Sequence, residues 1–257
     1  MTKTRTFLTC CLLLLASTPA LAQRKLLAVF AHPDDETTVG PLLAHYAGRA
    51  DVYLAIATNG DKGVQTFAGI PAGPPLAEAR AKEAACACQK LDIHEPILLG
   101  FPDGELGTRK VLDQLAPRIE KLIGDLRPDA IVTWGPDGGY GHPDHRLVSA
   151  VVSQVVAEGG VSPLLYYVGL PKSRMTPDVA KALSFLAPFS PVEDEFLNTR
   201  VPYTPAEAAK AREALGCHKS QFTAESMDQL YAVNQKMNGG TMYLRLWTGG
   251  KPRKDLF

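Results

Sequence analysis

The stretch KLLAVFA at residues 25–31 is a near-continuous apolar run, and the segment HPDDE at residues 32–36 follows it directly. An unbroken apolar run of this length is typical of a strand that is buried on both faces of a parallel sheet. Proline and acidic side chains favour the first turn of a helix, so we expect a helix over about 36–48. The stretch therefore predicts a strand–helix unit with polar side chains at the carboxyl end of the strand.

Strands and helices are predicted to alternate from this unit to residue 157. We expect strands over 51–57, 95–99, 130–134, 163–170 and 196–203, and helices over 76–91, 108–126, 143–157 and 205–215. The alternation indicates an α/β fold with a mostly parallel sheet and helices on both faces. The Gly- and Pro-rich loop over 58–75 is a candidate functional lid. We expect one domain over 23–257 with an embellished C-terminal third from about 158, including a long loop or insertion over 171–195.

The first 22 residues have the layout of a secretory signal peptide. Two basic residues precede an apolar run over 7–16, and a small-residue triplet ALA follows at 20–22. We expect cleavage between Ala22 and Gln23, and export to the periplasm or the medium. The apolar run is shorter than the ~20 residues that span a bilayer, and the sequence predicts no membrane span elsewhere.

Composition and charge exclude several classes of protein. Lys and Arg balance Asp and Glu at 27 each, and loss of Lys3 and Arg5 with the predicted signal peptide leaves a slight excess of acids. A nucleic-acid-binding protein needs a basic face, so we expect no nucleic-acid partner. The 46% hydrophobic and 21% charged residues are those of an ordinary globular protein, and they exclude disorder, coiled coil and a membrane bundle.

Three cysteines remain after the predicted cleavage, namely Cys86, Cys88 and Cys217. An odd count leaves at least one free thiol, and a C-x-C pair alone is weak evidence for a metal site. We expect the three side chains to be small buried hydrophobes. A Cys86–Cys217 or Cys88–Cys217 disulfide stays open as an alternative for an oxidising compartment.

Two segments share an unusual pattern, HPDD at residues 32–35 and HPDH at residues 142–145. Each segment follows a predicted strand and begins a predicted helix. Ligands of open α/β sheets bind beyond the carboxyl ends of the strands, where the strand order reverses. With the strand order 3-2-1-4-5, the first and fourth strands are neighbours at that point. We therefore expect the two segments to meet, although about a hundred residues separate them.

The residue types in these two segments suit hydrolysis at a metal ion. His32, Asp35 and His145 make a His/Asp/His set, and three protein ligands plus a water are typical of a catalytic zinc site. Iron(II), cobalt and nickel also suit such ligands. Asp34 is a candidate general base, because adjacent side chains diverge and it cannot easily bind the same ion. His142 lies three positions before His145 on one helical face, where it could donate a proton or hydrogen bond to an oxyanion.

Other interpretations of the two segments involve no hydrolysis. Each segment could be a strand end with a proline-and-acid helix start, and the pair could form a metal site without enzymatic activity. A nucleotide-binding protein is a further alternative. It needs a glycine-rich G-x-G-x-x-G turn after the first strand, and HPDDE at residues 32–36 supplies three acids that repel a pyrophosphate. The co-occurrence of both segments favours the enzyme.

The same residues also carry a resemblance to a known family. AHPDDE at 31–36 together with GHPDHR at 141–146 resembles the LmbE-like/PIG-L family of zinc-dependent N-acetylglucosaminyl de-N-acetylases. The resemblance covers roughly residues 26–150. Supporting segments are TNG at 58–60, EARAKE at 78–83, FPDG at 101–104 and HKSQ at 218–221.

The resemblance implies a Rossmann-like three-layer fold and hydrolysis of the acetyl amide of a sugar. It implies zinc on His32, Asp35 and His145, with another divalent metal such as Fe²⁺ as an alternative. It also implies Asp34 as the general base and His142 as the acid or oxyanion stabiliser. The expected partner is a small N-acetylated molecule or glycan. Two alternatives stay open: a sugar-binding module with a vestigial metal site, and an amide hydrolase that acts on a non-sugar conjugate.

Two further residues are carried over from the resemblance as contacts to the sugar, Arg80 and Asp103. Arg80 could instead pair with a carboxylate on its own helix, and Asp103 could simply form a turn before Gly104. The segment over 171–202 resembles nothing in the family and could reshape the mouth of the pocket.

Overall fold

A single mixed sheet lies at the centre of the protein. We describe it from a computed structural model that covers residues 23–160, 162–183 and 189–257. The predicted signal peptide over 1–22 lies outside the described residues, and so do residues 184–188 of the predicted insertion. The strands are β1 (Lys25–Phe30), β2 (Asp51–Thr58), β3 (Ile97–Phe101), β4 (Ala130–Thr133), β5 (Leu164–Val168), β6 (Thr199–Pro202) and β7 (Thr241–Leu246).

The strand order is β3-β2-β1-β4-β5-β7-β6. Strands β1 to β5 are parallel in the order 3-2-1-4-5, so the predicted order and the mostly parallel α/β sheet are confirmed. Strand β7 is antiparallel to β5, and β6 is antiparallel to β7. The order reverses between β1 and β4, which is where a ligand site is expected.

Helices pack on both faces of the sheet. They are α1 (Gly40–Ala47), α2 (Pro74–Leu91), α3 (Arg109–Leu126), α4 (Gly138–Gly141), α5 (Pro143–Glu158), α6 (Pro177–Leu183), α7 (Pro205–Leu215) and α8 (Ala224–Asn238). Alternate residues of β1 enter two different apolar clusters, one with α1, α2 and α7 and the other with α3 and α5. This explains the unbroken apolar run of β1, because both of its faces are covered.

Three parts of the chain differ from the sequence-based prediction. The helix predicted over 36–48 is a 3₁₀ turn over Asp35–Thr38 followed by α1, because Pro41 has no N–H and must stand in the first turn of a helix. The segment over 171–195, predicted as a loop, contains α6 and two short 3₁₀ turns. Helix α8 and strand β7 were not predicted. Among the described residues, no helix combines the length and apolar content that crossing a membrane requires.

A disulfide joins Cys86 on α2 to Cys217, which follows α7. It is one of the two pairings that the sequence left open. Cys88 is the free thiol among the described cysteines; Cys88 and Cys217 are buried as expected, whereas Cys86 is partly buried. The pairing arises because α2 and α7 pack side by side. Their packing brings the two Cα atoms to 5.9 Å, a normal separation for a disulfide.

Candidate metal centre and active site

The two histidine segments meet at the carboxyl ends of the neighbouring strands β1 and β4. His32 Nδ1 lies 3.1 Å from His145 Nε2, although 113 residues separate them. Asp35 Oδ1 lies 3.2 Å from His145 Nε2, and Asp35 Oδ2 lies 3.7 Å from His32 Nδ1. All three side chains are almost fully buried. The structure therefore brings the three predicted metal ligands together.

Hydrogen bonds fix the Asp35 carboxylate through one of its oxygens. Asp35 Oδ2 accepts the backbone N–H groups of Ala31 (3.0 Å) and His32 (2.9 Å) and the indole N–H of Trp134 (3.1 Å). Burial by itself raises the pKa of this carboxyl, but His145, His32 and the backbone donors outweigh burial and lower the pKa below its usual range. Oxygen Oδ1 is thus left as an ionised acceptor that faces the imidazoles.

The hydrogen bond of His145 determines which of its nitrogens carries a proton. Its Nδ1 lies 3.1 Å from the carbonyl oxygen of Gly138, which can only accept, so Nδ1 donates and Nε2 carries an electron pair. The ring stacks on Trp134 with centroids 4.4 Å apart, which prevents it from turning. A second-sphere partner that fixes the tautomer in this way is common for metal-binding histidines.

Two carboxylates surround the opposite edge of His32. Its Nε2 lies 3.0 Å from Asp103 Oδ1 and 3.4 Å from Asp144 Oδ2, without the angle of a hydrogen bond. Burial opposes the charged form of this imidazole, but Asp103, Asp144 and Asp35 outweigh burial and raise its pKa to about 10. The surroundings of His32 therefore attract positive charge and favour an electron pair on Nδ1 when a cation is present.

The distances from His145 Nε2 to the other two donor atoms fit ligands of a single divalent cation. Ligands at ~2.0–2.1 Å from a tetrahedral zinc ion lie about 3.3 Å from one another. His145 Nε2 lies 3.1 Å from His32 Nδ1 and 3.2 Å from Asp35 Oδ1, while the 3.7 Å distance joins His32 Nδ1 to the other oxygen, Asp35 Oδ2. Two imidazoles and one carboxylate suit zinc, and they also suit iron(II), cobalt and nickel.

His142 is the rival for the third ligand position. The ring nitrogens of His32, His142 and His145 lie within 4.8 Å of one another. A second group consists of a His32 nitrogen and carboxylate oxygens of Asp103 and Asp144, within the same distance of one another. However, His142 caps α5, and its Nδ1 accepts the backbone N–H of Asp144 at 3.2 Å. The proton of the neutral ring then lies on Nε2, which makes His142 a hydrogen-bond donor beside the centre. Burial and the two neighbouring imidazoles lower its pKa, which favours this neutral form.

Asp34 lies on a backbone with φ 115°, a value that non-glycine residues rarely adopt. Its N–H donates to Glu36 Oε2 at 3.0 Å, and its carbonyl accepts the Thr37 hydroxyl at 2.7 Å. Burial raises the pKa of Asp34 to about 6, and Arg80 opposes this shift. The structure places a partly exposed carboxylate beside the predicted ligands, where a general base is expected.

Arg80 lies behind Asp34 and is 3% exposed. Its Nη2 is 3.0 Å from Asp34 Oδ2 and also contacts the carbonyl of Pro33, while Nη1 donates to the carbonyl of Gly60 at 3.0 Å. A Cβ atom at Gly60 would lie 2.5 Å from the guanidinium, so this close approach requires glycine. Arg80 thus pairs with a carboxylate, although not with one on its own helix. The sugar contact of Arg80 stays a prediction.

Asp103 lies beside His32 and is 8% exposed. Its Oδ1 is the atom near His32 Nε2, and its Oδ2 accepts the backbone N–H of Lys62 at 3.3 Å. The side chain therefore supports a predicted ligand in addition to preceding the turn at Gly104. Its contact with a sugar also stays a prediction.

The family model described as "GlcNAc-PI de-N-acetylase" (PIG-L) matches residues 27–156, which include both histidine segments. The chain belongs to the PIG-L family. Its membership confirms the resemblance drawn from the sequence, and it makes the chain a member of an enzyme family that hydrolyses amides.

Two similar PIG-L proteins are both named 1D-myo-inositol 2-acetamido-2-deoxy-alpha-D-glucopyranoside deacetylase. The protein from Mycolicibacterium smegmatis is 35% identical over 178 residues, which cover 59% of this chain and 61% of that relative. The protein from Thermobifida fusca is 31% identical over 242 residues, 77% of this chain and 83% of that relative. The alignment thus spans less than two thirds of the first relative and more than four fifths of the second.

A solved structure shares the fold of this PIG-L chain. The N,N'-diacetylchitobiose deacetylase from Pyrococcus horikoshii superposes with a TM-score of 0.60 at 21% identity. The superposition covers 88% of this chain and 83% of that protein. The described sheet and its helices are therefore those of a PIG-L fold.

Two buried residues of the site were missed by the sequence-based prediction, Glu36 and His218. His218 Nε2 bonds to Glu36 Oε1, and both side chains are fully buried. The other oxygen of Glu36 holds the backbone N–H of Asp34. The pair therefore supports the unusual backbone of Asp34. The sequence features that could have identified them are the third acid of HPDDE, which is Glu36, and the first residue of HKSQ, which is His218. The HKSQ segment resembled the family, but no role was assigned to it.

A cavity of about 120 Å³ lies beside Asp34 and Asp35. Trp134 and Tyr140, close to the candidate ligands, form part of its wall. The rest of the wall comes largely from residues beyond the family match, among them Leu170, Phe189, Phe222, Leu230 and Met237. The candidate metal centre therefore borders a space that is mostly apolar.

Proposed function

We propose that this PIG-L protein is a metal-dependent N-deacetylase that removes the acetyl group from an N-acetylglucosaminyl-type substrate. The observation that carries the proposal is the meeting of three donor atoms, His32 Nδ1, Asp35 Oδ1 and His145 Nε2, beside Asp34. The names of the two relatives, deacetylases of an acetamido sugar linked to inositol, support the class of substrate.

His32, Asp35 and His145 would hold the metal ion in this proposal. A bound zinc ion supplies a water whose pKa is lowered from about 15.7 to about 7, together with an electrophile for the carbonyl oxygen. Asp144 and Gly138 support the two histidines from behind, since each contacts the ring nitrogen that faces away from the shared site.

Asp34 is proposed to accept a proton from the attacking water. The Arg80 guanidinium holds its carboxylate from one side, and Glu36 holds its backbone from the other. His142 is proposed to donate its Nε2 proton in a hydrogen bond to the oxyanion of the tetrahedral intermediate. The carbon–nitrogen bond then breaks, and the amine leaves with the proton that Asp34 took from the water.

Export of the mature protein is part of the proposal. It is supported by the signal-peptide layout of residues 1–22 and by the Cys86–Cys217 disulfide, which persists in oxidising compartments. N-terminal sequencing of the protein from periplasm or medium should begin at Gln23. Protein that keeps its first residues in the cell would contradict this.

The proposed reaction is tested by measuring acetate release from N-acetylglucosamine, diacetylchitobiose and N-acetylglucosaminyl-inositol. We expect at least one of the three to be hydrolysed, the activity to disappear with a chelator, and zinc or iron(II) to restore it. Binding of these sugars without acetate release would favour the alternative of a sugar-binding module with a vestigial metal site. Hydrolysis of N-acetylated non-sugar amines alone would favour the other alternative.

A further inference from the structure

The cavity beside the candidate metal centre has one polar end and one apolar end. Asp34 and Asp35 lie at the polar end, with Thr37 and Thr38. Tyr140 joins the two ends, because its ring centroid lies 5.1 Å from that of His145 and 5.2 Å from that of Phe189. The apolar wall therefore begins next to the imidazoles and not at a distance from them.

The apolar end is built from two packed clusters of the C-terminal third. Leu183 and Met237 are almost fully buried, and Leu170 and Phe189 pack against them with partly exposed side chains. Leu230 belongs to the second cluster. Leu183 lies on α6, and Leu230 and Met237 lie on α8, so this part of the wall is supported by secondary structure.

The apolar end of the described lining offers little to a sugar or a phosphate. The charged side chains of this lining are Asp34 and Asp35 alone, and Asn234 is the polar group at the apolar end. Sugar hydroxyls need several hydrogen-bond partners, and a phosphate needs a cation. A neutral apolar group matches these walls, because its transfer from water is favourable and leaves no polar atom without a partner.

The position of the cavity indicates which part of the substrate would enter it. A group on the acyl side of the scissile amide is attached directly to the reacting carbonyl carbon. An apolar group on the amine side would be separated from that carbon by the sugar ring and its hydroxyls. Since the apolar wall begins at Tyr140, next to the imidazoles, the acyl side fits better.

We propose that this cavity binds the acyl chain of the substrate, and that the protein prefers N-acyl groups longer than acetyl. The inference rests on the proposed amide hydrolysis and deepens it. Water adds to the carbonyl, the carbon–nitrogen bond breaks, and the products are a fatty acid and the free amine. A cavity of about 120 Å³ exceeds the space that the acetyl methyl needs, since roughly 10–15 Å³ on the same measure admits a group of the size of a water.

The first test compares N-acetyl-, N-butanoyl- and N-hexanoylglucosamine as substrates of the zinc-loaded protein. Each methylene that becomes buried should raise kcat/KM about four-fold, so that butanoyl exceeds acetyl by about 15-fold. Calorimetric titration of the Asp34→Asn protein with the same compounds gives a readout that does not depend on turnover. We expect tighter binding and a more negative heat-capacity change for the longer chains.

The second test replaces the wall. Phe189→Ala should reduce the preference for butanoyl over acetyl, and Leu170→Ala provides a second variant if the first does not fold. Phe196→Ala is the matched control, because Phe196 is 51% exposed and does not line the cavity. The control should keep the chain-length preference of the unmodified protein.

The outcomes separate this inference from the proposed function. Equal or better hydrolysis of the acetyl compound overturns the acyl-chain site and leaves the deacetylase proposal standing. A preference that both wall variants keep also overturns it. If kcat/KM rises only with a hexyl glycoside of N-acetylglucosamine, the cavity binds a group on the amine side of the amide, and the acyl-chain site is overturned. Chain-length-dependent binding that Phe189→Ala removes, without hydrolysis of any compound, supports the acyl site and contradicts the proposed reaction.

Discussion

The segment matched by the family, residues 27–156, and the C-terminal third from β5 onward contribute to the site in different ways. The matched segment holds all five side chains of the proposed chemistry, in the loops and first helical turns that follow parallel strands: His32, Asp34, Asp35, His142 and His145. The C-terminal third supplies the antiparallel edge of the sheet, the buried His218 and most of the apolar cavity wall. The comparison indicates that the reaction is encoded in the first region, whereas substrate selection and support are encoded in the second.

The largest expected effect is loss of the metal from the first region. His145→Ala and Asp35→Ala should each abolish stoichiometric metal binding and acetate release, because each removes one of three donors. Metal content is measured by elemental analysis after gel filtration, with folding checked by circular dichroism. His45→Ala is the control, since His45 lies on α1 and pairs with Glu207. Full metal occupancy in either ligand variant would contradict the assigned centre.

Asp34→Asn tests the general base within the same region. We expect the metal to stay bound and kcat to fall by about 10²–10⁴, the usual contribution of a positioned acid or base. Arg80→Lys tests the support of this base. The lysine side chain is shorter than that of Arg80 and contacts Asp34 less well, so kcat should fall with a smaller change in KM. Near-normal turnover of Asp34→Asn would remove Asp34 from its proposed role.

His142→Ala should retain the metal and lose about 10²–10³ in kcat, the typical effect of removing one oxyanion donor. His142→Gln, which restores an N–H donor on a side chain of similar reach, should recover part of that loss. Metal that disappears from His142→Ala would show that ligand and donor have been exchanged.

The smallest effect on catalysis is expected from the disulfide that ties α2 to the C-terminal third. Cys217→Ser opens a link between residues 131 positions apart and should lower the free energy of unfolding by about 2–4 kcal/mol. Urea unfolding measures the change, and Cys88→Ala is the control because Cys88 forms no disulfide. Equal effects of the two substitutions would contradict a stabilising role for the link.

The parallel half of the fold was predictable because its strands are buried on both faces. The sequence of β1 is an apolar run, and polar segments follow β1 and β4 at the strand ends where the candidate metal centre lies. The C-terminal third was harder to predict. Helix α8 has Met227, Leu230, Val233 and Met237 at helical spacing, but no motif beside it indicates its partner. Pairing of β7 with β5 and β6 depends on contacts between distant segments.

The two histidine segments show where local sequence ceases to be informative. Both contain His-Pro-Asp, which predicts the same helix start. Pro143 does begin α5, but Asp34 has φ 115° and a 3₁₀ turn follows it. Arg80 and the Glu36–His218 pair hold Asp34 in that conformation. Arg80 is 46 residues from Asp34 along the chain, and His218 is 182 residues from Glu36. Such contacts exist only in the folded protein.

The central claim is that two imidazoles and one carboxylate bind one divalent cation. X-ray absorption spectroscopy of the zinc-loaded protein measures this directly, because imidazole rings give a scattering pattern that carboxylates lack. The account predicts two imidazoles and oxygen ligands at about 2.0–2.1 Å, with a spectrum that His142→Ala leaves unchanged. A third imidazole that His142→Ala removes would contradict it.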